Sequence, residues 1–186
     1  MSYKLLDEHN QEVKHHDLQD KSPWCRTGAS FEEVFVAQYG EQLNLVINPA
    51  KQHDVYAPDL LNIATNNIGD LKTQNTPFFQ AASRFGLDPQ YAVTFNVKDR
   101  NRYAEKYPSI EIYFWVKWIA TTFENYGKRI SVQPMEGLWK IKFLDLLTVC
   151  IASRIHSYQQ RVDDTQGNAK GSFVLDLRNE LFSRVL

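Results

Sequence analysis

The order of hydrophobic periodicities along the chain constrains its fold most. A segment with helical spacing, at about residues 30–43, precedes a run of short segments with strand patterning, and helical segments return between and after them. Ser30 and Glu33 have the spacing of a capping box at the start of the first helix. This order predicts an α/β fold in which helices flank a central mixed β-sheet.

The segments expected to form the sheet are separated by turn residues or short helices. We predict strands at 43–49, 55–63, 68–74, 91–97 and 110–119, a hairpin or edge pair at 130–134 and 138–143, and a closing element from 173–177. Further helices are predicted at 76–86 and 145–162, after a polar N-terminal arm at 1–27. A length of 186 residues suits one domain, 1–186.

Two of the predicted strands, 55–63 and 68–74, flank the turn residues 64–67. A turn centred near residues 64–65 places Asp59 almost opposite Asp70 on the neighbouring strand. Strand alternation puts Asp70 and Lys72 on one face and directs Leu71 into the core. Two carboxylates and one ammonium group are therefore expected to converge on one patch.

This combination of groups suits metal-dependent hydrolysis of a phosphodiester. Asp59 and Asp70 would hold Mg²⁺, a hard cation that prefers oxygen ligands, and the backbone carbonyl of Leu71 would add a ligand. The ion would polarise the phosphate and activate a water molecule. Lys72 would orient or help to deprotonate that water. Burial would ease deprotonation of Lys72, and the neighbouring carboxylates would oppose it.

Other acidic residues compete for places in this patch. Asp54 is the alternative first carboxylate, but in the same register it lies away from the second acid, so a turn role is preferred. For a third acid from the preceding helix we favour Glu32, which shares a helical face with Phe35 and Tyr39. Glu33 points about 100° away and has the capping role.

Pro58-Asp59 and Asp70-Leu71-Lys72 resemble the motif of the PD-(D/E)xK nuclease superfamily, with Asp in place of the commoner Glu at the second acid. Over its whole length the chain resembles the small catalytic subunit of heterodimeric type IIS restriction endonucleases. The resemblance implies a restriction-endonuclease-like fold, Mg²⁺ as cofactor and a catalytic set of Asp59, Asp70, Lys72 and Glu32. It also implies double-stranded DNA as substrate and, as partner, a large subunit that recognises the DNA and cuts the other strand.

The bulk properties agree with a catalytic subunit that relies on a partner. The net charge is -1, whereas a protein that holds DNA unaided usually carries a positive excess. No apolar run approaches the roughly 20 residues of a membrane helix. Cys25 and Cys150 fit neither a zinc pattern nor a disulfide framework, which favours a cytoplasmic protein with free thiols.

Two further groups of residues have alternative interpretations. An aromatic set is expected in the sheet core or an interface rather than stacked on bases: Tyr113, Phe114, Trp115, Trp118 and Trp139. A basic segment between two strands would be a solvated loop or a contact to the DNA backbone: Lys98, Arg100, Arg102 and Lys106. Two alternative functions stay open, a stand-alone homodimeric repair or junction-resolving nuclease and a non-catalytic regulatory module on a nuclease fold.

Overall fold

The structure, a computed structural model, describes residues 3–13, 30–157 and 171–186. Most of the predicted N-terminal arm, Cys25 and the last part of the helix predicted at 145–162 lie outside the described residues. In the described parts of the chain, no helix is both long enough and apolar enough to cross a membrane.

The described residues form a mixed α/β structure with three sheets. In chain order the strands are β1 (Lys4–Leu6), β2 (Leu45–Ile47), β3 (Leu60–Asn62), β4 (Ile68–Gln74), β5 (Ala92–Asn96), β6 (Glu111–Lys117), β7 (Thr122–Asn125), β8 (Lys128–Ser131), β9 (Glu136–Lys142), β10 (Ile155–Ser157), β11 (Gly171–Asp176) and β12 (Ser183–Arg184). The central six-stranded sheet has the order β12-β9-β6-β4-β3-β2. Its β4 and β6 are parallel, and its other neighbours are antiparallel. The smaller sheets are β1-β7-β8 and β10-β11-β5.

Helices cover the sheets and make the connections between strands. They are α1 (Phe31–Leu43), a short 3₁₀ helix (Pro49–Gln52), α2 (Ala81–Phe85), α3 (Val97–Lys106) and α4 (Phe143–Ala152). The capping box predicted for the first helix is confirmed, since the backbone N–H of Glu33 donates to Ser30 Oγ and the Glu33 carboxylate accepts from the backbone N–H of Ser30. Asn44, at φ 56°, ends α1 in the left-handed conformation that Asn tolerates.

The two faces of the central sheet are packed by different elements. On one face, Leu71 lies in a cluster with Phe35 of α1 and Trp115 of β6. On the other face, Phe114 of β6 packs in the larger cluster that contains Tyr103 of α3. All five members of the aromatic set are buried, so the prediction that they form sheet core is confirmed.

The predicted hairpin register is confirmed, but its first strand is shorter than predicted. Leu60 pairs with Gly69 and Leu61 with Ile68, which centres the turn between residues 64 and 65. The strand predicted at 55–63 is reduced to β3, because the residues before it form a turn in which Ala57 N–H donates to the Asp54 carbonyl at 3.0 Å. Asp54 is thus a turn residue, and its side chain accepts from the Tyr56 N–H.

The predicted pairing of 130–134 with 138–143 is wrong. β8 pairs with β7 instead, across the tight turn at Tyr126 and Gly127, which both have positive φ. β9 lies between β6 and β12 in the central sheet. Leu138 and Trp139 are buried on opposite faces of it, as expected for an inner strand rather than an edge.

Two predictions about the helices are corrected. The late helix predicted at 145–162 ends at Ala152, where the Ser153 hydroxyl donates to the Val149 carbonyl, and the chain continues as β10. The basic segment, predicted as a loop between strands, is α3. Its first turn carries Asp99 and its last turn Lys106, an arrangement that the helix dipole favours.

Candidate active site

Asp59 lies immediately before β3, on the edge of β4 where strand pairing stops. The β3–β4 ladder extends only to Gly69. Beyond it the Asp59 side chain replaces a backbone partner, because its Oδ2 accepts from the Leu71 N–H at 3.1 Å. In an extended strand the N–H and C=O of one residue point to the same edge. The Leu71 carbonyl is therefore directed to the edge that Asp59 occupies.

Asp70 and Lys72 lie together on the opposite face from Leu71, as strand alternation predicts. Asp70 is only 3% exposed, and Lys72 Nζ lies 2.7 Å from its Oδ2. Leu71 is buried in the α1 cluster. The hairpin therefore brings the predicted Asp59, Asp70 and Lys72 into one site.

Helix α3 supplies three groups that the sequence prediction did not place here as a set. Lys72 Nζ contacts Asp99 Oδ2 at 2.6 Å and Tyr103 Oη at 3.2 Å. Arg102 Nη2 donates to Tyr103 Oη at 2.7 Å and lies 3.9 Å from Asp70 Oδ1. Asp99, Arg102 and Tyr103 have the i, i+3, i+4 spacing of one helical face. This spacing would have grouped them if the segment had been predicted as a helix.

Glu32 is linked to the site by an ion pair with Lys51. Lys51 Nζ lies 3.1 Å from Glu32 Oε1 and contacts Asp59 Oδ1. Asn48 fixes the segment between β2 and β3, which carries Lys51 and Asp59. Its side chain donates to the Pro58 carbonyl at 2.9 Å and accepts from the Ala50 N–H at 3.1 Å. No sequence pattern pointed to Lys51 or Asn48.

The charges of the site shift its proton equilibria strongly. Burial, reinforced by the negative charge of Asp70, raises the pKa of Asp59 to about 6. Burial alone lowers the pKa of Lys72, but the neighbouring negative charges, Asp70 above all, outweigh it and raise the pKa above the ordinary lysine value. Of the two opposed effects predicted for Lys72, the effect of the carboxylates therefore prevails, and its amine stays protonated.

Lys51 and Glu32 form a second charged pair beside the first. Burial lowers the pKa of Lys51, but hydrogen bonds to the Asp59 and Glu32 carboxylates raise it by more. For Glu32 burial raises the pKa, and hydrogen bonds from its own backbone N–H and from Lys51 outweigh that and lower it. Both groups therefore stay charged at neutral pH.

The oxygen atoms of the site suit a hard divalent cation. Asp70 Oδ2 is buried and forms an ion pair with Lys72 Nζ, 2.7 Å away, that does not have the geometry of a hydrogen bond. A carboxylate oxygen is the type of ligand that Mg²⁺ prefers. In the described ranges, no three acidic, histidine or cysteine side chains already surround one point. Asp59, Asp70 and the Leu71 carbonyl are the donors that would hold Mg²⁺.

Other polar residues near the site, and Cys150, have structural roles or lie apart from it. Glu33 caps α1, and Gln74 donates to the Thr76 carbonyl at 3.1 Å and accepts from the Thr94 N–H at 3.0 Å. His53 ends the 3₁₀ helix on an exposed turn. Cys150 is a free buried thiol, and burial raises its pKa to about 12.

Comparison of the chain with protein-family models, with curated proteins and with solved structures gives no match. The interpretation of the site therefore depends on its own geometry.

Proposed function

We propose that this protein is a Mg²⁺-dependent endodeoxyribonuclease subunit with a restriction-endonuclease-like fold, which hydrolyses one strand of duplex DNA. The observation that carries the proposal is the convergence of Asp59, Asp70 and Lys72 at the open edge of β4, with Asp70 Oδ2 buried and 2.7 Å from Lys72 Nζ. Carboxylates that can hold a divalent cation, with a lysine beside them, suit metal-dependent hydrolysis of a phosphodiester.

Each residue has a defined task in this proposal. When bound, Mg²⁺ would polarise the phosphodiester and lower the pKa of a coordinated water. Asp59 and Asp70 would bind the ion, with the Leu71 carbonyl, and hold it at a fixed place beside β4. Lys72, kept protonated by Asp70 and Asp99, would not take the proton of the attacking water, which the metal-activated water would release to solvent; its ammonium group would stabilise negative charge on the phosphate.

The net charge of the chain supports dependence on a partner. With 21 basic and 22 acidic residues, the protein has no overall positive field to retain DNA. The basic groups at the site are themselves paired with carboxylates, as with Lys72 and Asp99. A large DNA-recognition subunit would bring the duplex to this site and cut the other strand.

The test is cleavage of plasmid DNA with Mg²⁺ and the cognate large subunit. Asp59→Asn, Asp70→Asn and Lys72→Met should each abolish linearisation and leave nicked circles made by the large subunit. Asp54→Asn is the matched control, because this acid lies nearby but has only a turn role, and it should linearise the plasmid normally. Full linearisation by Asp70→Asn would contradict the proposal. Efficient cutting of branched DNA by the chain alone would instead indicate a stand-alone resolving enzyme.

A further inference from the structure

The ammonium group of Lys51 occupies the space between two of the carboxylates at the candidate site. Its Nζ lies 3.1 Å from Glu32 Oε1 and also contacts Asp59 Oδ1. The Lys51 and Glu32 side chains are each 24% exposed and the Asp59 side chain 15%, so this cluster is only partly screened by solvent. The positive group stands where a cation bound jointly by Glu32 and Asp59 would stand.

The backbone that carries Lys51 is held close to Asp59 by Asn48. Asn48 caps the 3₁₀ helix that carries Lys51, and Pro49 opens that helix. The same Asn48 binds the Pro58 carbonyl through its side chain and the Asp59 carbonyl through its backbone N–H, at 2.9 Å each. One buried residue thus fixes the relative placement of the lysine and the carboxylate that it contacts.

Both oxygens of Asp59 are engaged in this arrangement. Oδ1 contacts Lys51, and Oδ2 accepts from the Leu71 N–H. Asp70 has a different cation beside it, because its Oδ2 lies 2.7 Å from Lys72 Nζ. An ion entering the site therefore meets two carboxylates that each have a lysine ammonium beside them, and of these two lysines Lys51 is the one that also contacts Glu32.

We infer that Lys51 is an internal counter-cation that competes with the divalent ion for Glu32 and Asp59, so that the ion binds fully only when the ammonium leaves. This inference rests on the proposed metal-dependent function and concerns its regulation. Removing the ammonium leaves two carboxylates that repel each other, which increases the attraction of the site for a divalent cation. A chain without this charge should therefore bind the ion more tightly than the wild-type protein.

The experiment measures Mn²⁺ binding to the full-length chain by calorimetry, without DNA. Lys51→Met should bind Mn²⁺ about tenfold more tightly than wild type, as expected for a change of about 1.4 kcal/mol. Lys51→Gln is a second neutral variant that retains a polar end and guards against a folding defect, and it should change the affinity in the same direction. Lys51→Arg keeps the charge and should leave the affinity near that of wild type.

The matched control is Lys106→Met, which removes an equal charge from an exposed position at the end of α3. It should leave Mn²⁺ affinity unchanged. Folded Lys51→Met and Lys51→Gln proteins with wild-type or weaker Mn²⁺ affinity, or with no detectable binding, would overturn the inference. Asp70→Asn distinguishes a failure of the inference about Lys51 from a failure of the proposed function. If Asp70→Asn binds Mn²⁺ as tightly as wild type does, the metal site itself is misassigned.

Discussion

At the scale of single residues, Asp59 lies where an ionised carboxylate is disfavoured and where a bound cation would stabilise it. Its neighbours include a hydrogen-bond donor, the Leu71 N–H, and a cation, Lys51, but also the buried charge of Asp70. Burial and that charge together raise its pKa to about 6 from 3.8. Folding without a metal is therefore opposed by ionisation of this residue.

This pKa shift predicts how Asp59→Asn changes stability with pH. Because the folded pKa is raised, the contribution of Asp59 to stability is fully present below its unfolded pKa and is lost as the pH rises through about 6. At pH 8 the ionised group destabilises by at most about 3 kcal/mol, and the amide avoids this cost but loses the Lys51 ion pair. We expect a gain of about 1–2 kcal/mol.

Thermal unfolding in EDTA checks this prediction. Asp59→Asn should have the higher Tm at pH 8, and its advantage over the wild type should shrink as the pH falls towards 4. Asp54→Asn, whose side chain only accepts from a nearby backbone N–H, should follow the wild type at both pH values. A lower Tm for Asp59→Asn at pH 8 would show that the Lys51 pair outweighs the repulsion by Asp70.

At the scale of elements, the site depends on how α3 and the loop before β3 meet β4. Tyr103 is fully buried, and its hydroxyl accepts from both Lys72 and Arg102. Tyr103→Phe removes both hydrogen bonds without changing the packing of the ring, and we expect it to destabilise the fold by about 1–2 kcal/mol. Urea unfolding measures this. Tyr126→Phe, at a side chain that is 79% exposed, should change nothing.

The loop before β3 gives a second prediction at this scale. Asn48→Ala removes the side-chain bonds to the Pro58 carbonyl and the Ala50 N–H, leaving a buried carbonyl without its donor. We expect a loss of about 2 kcal/mol in the free energy of unfolding. Because Asp59 is displaced as well, DNA cleavage at a temperature where the variant is folded should fall at least tenfold. Normal cleavage by a destabilised Asn48→Ala would show that the loop does not place Asp59.

The elements also show which features of the site could be predicted from sequence. The Asp59–Asp70 register followed from turn residues beside a strand with clear alternation, and α1 followed from its capping box, because both are local signals. Helix α3 was missed because its sequence is polar and basic, with Tyr103 as its one fully buried side chain. The position of β9 in the sheet was not predicted, because it depends on pairing with β6 and β12. These strands are distant in sequence, so no local pattern indicates the pairing.

At the scale of the whole molecule, the near-neutral charge limits what the chain does alone. We predict that the isolated protein binds a short duplex no more tightly than about 1 μM at physiological salt, within the range of non-specific binding. Fluorescence anisotropy of a labelled duplex tests this, with the large subunit added in a parallel titration. Nanomolar binding by the chain alone would contradict the proposed reliance on a partner.

The most direct measurement is cleavage of a duplex whose two strands carry different end labels, with Mg²⁺ and the cognate large subunit present. With the wild-type chain, both strands should be cut. With Asp70→Asn, one strand should be cut at the normal rate, and cleavage of the other should fall by about a hundredfold or more, because loss of an outer-shell partner alone typically costs about 10–100-fold and Asp70 is a proposed direct ligand. Cleavage of both strands at wild-type rates with Asp70→Asn would contradict the assignment of Asp59, Asp70 and Lys72 as a strand-cutting centre.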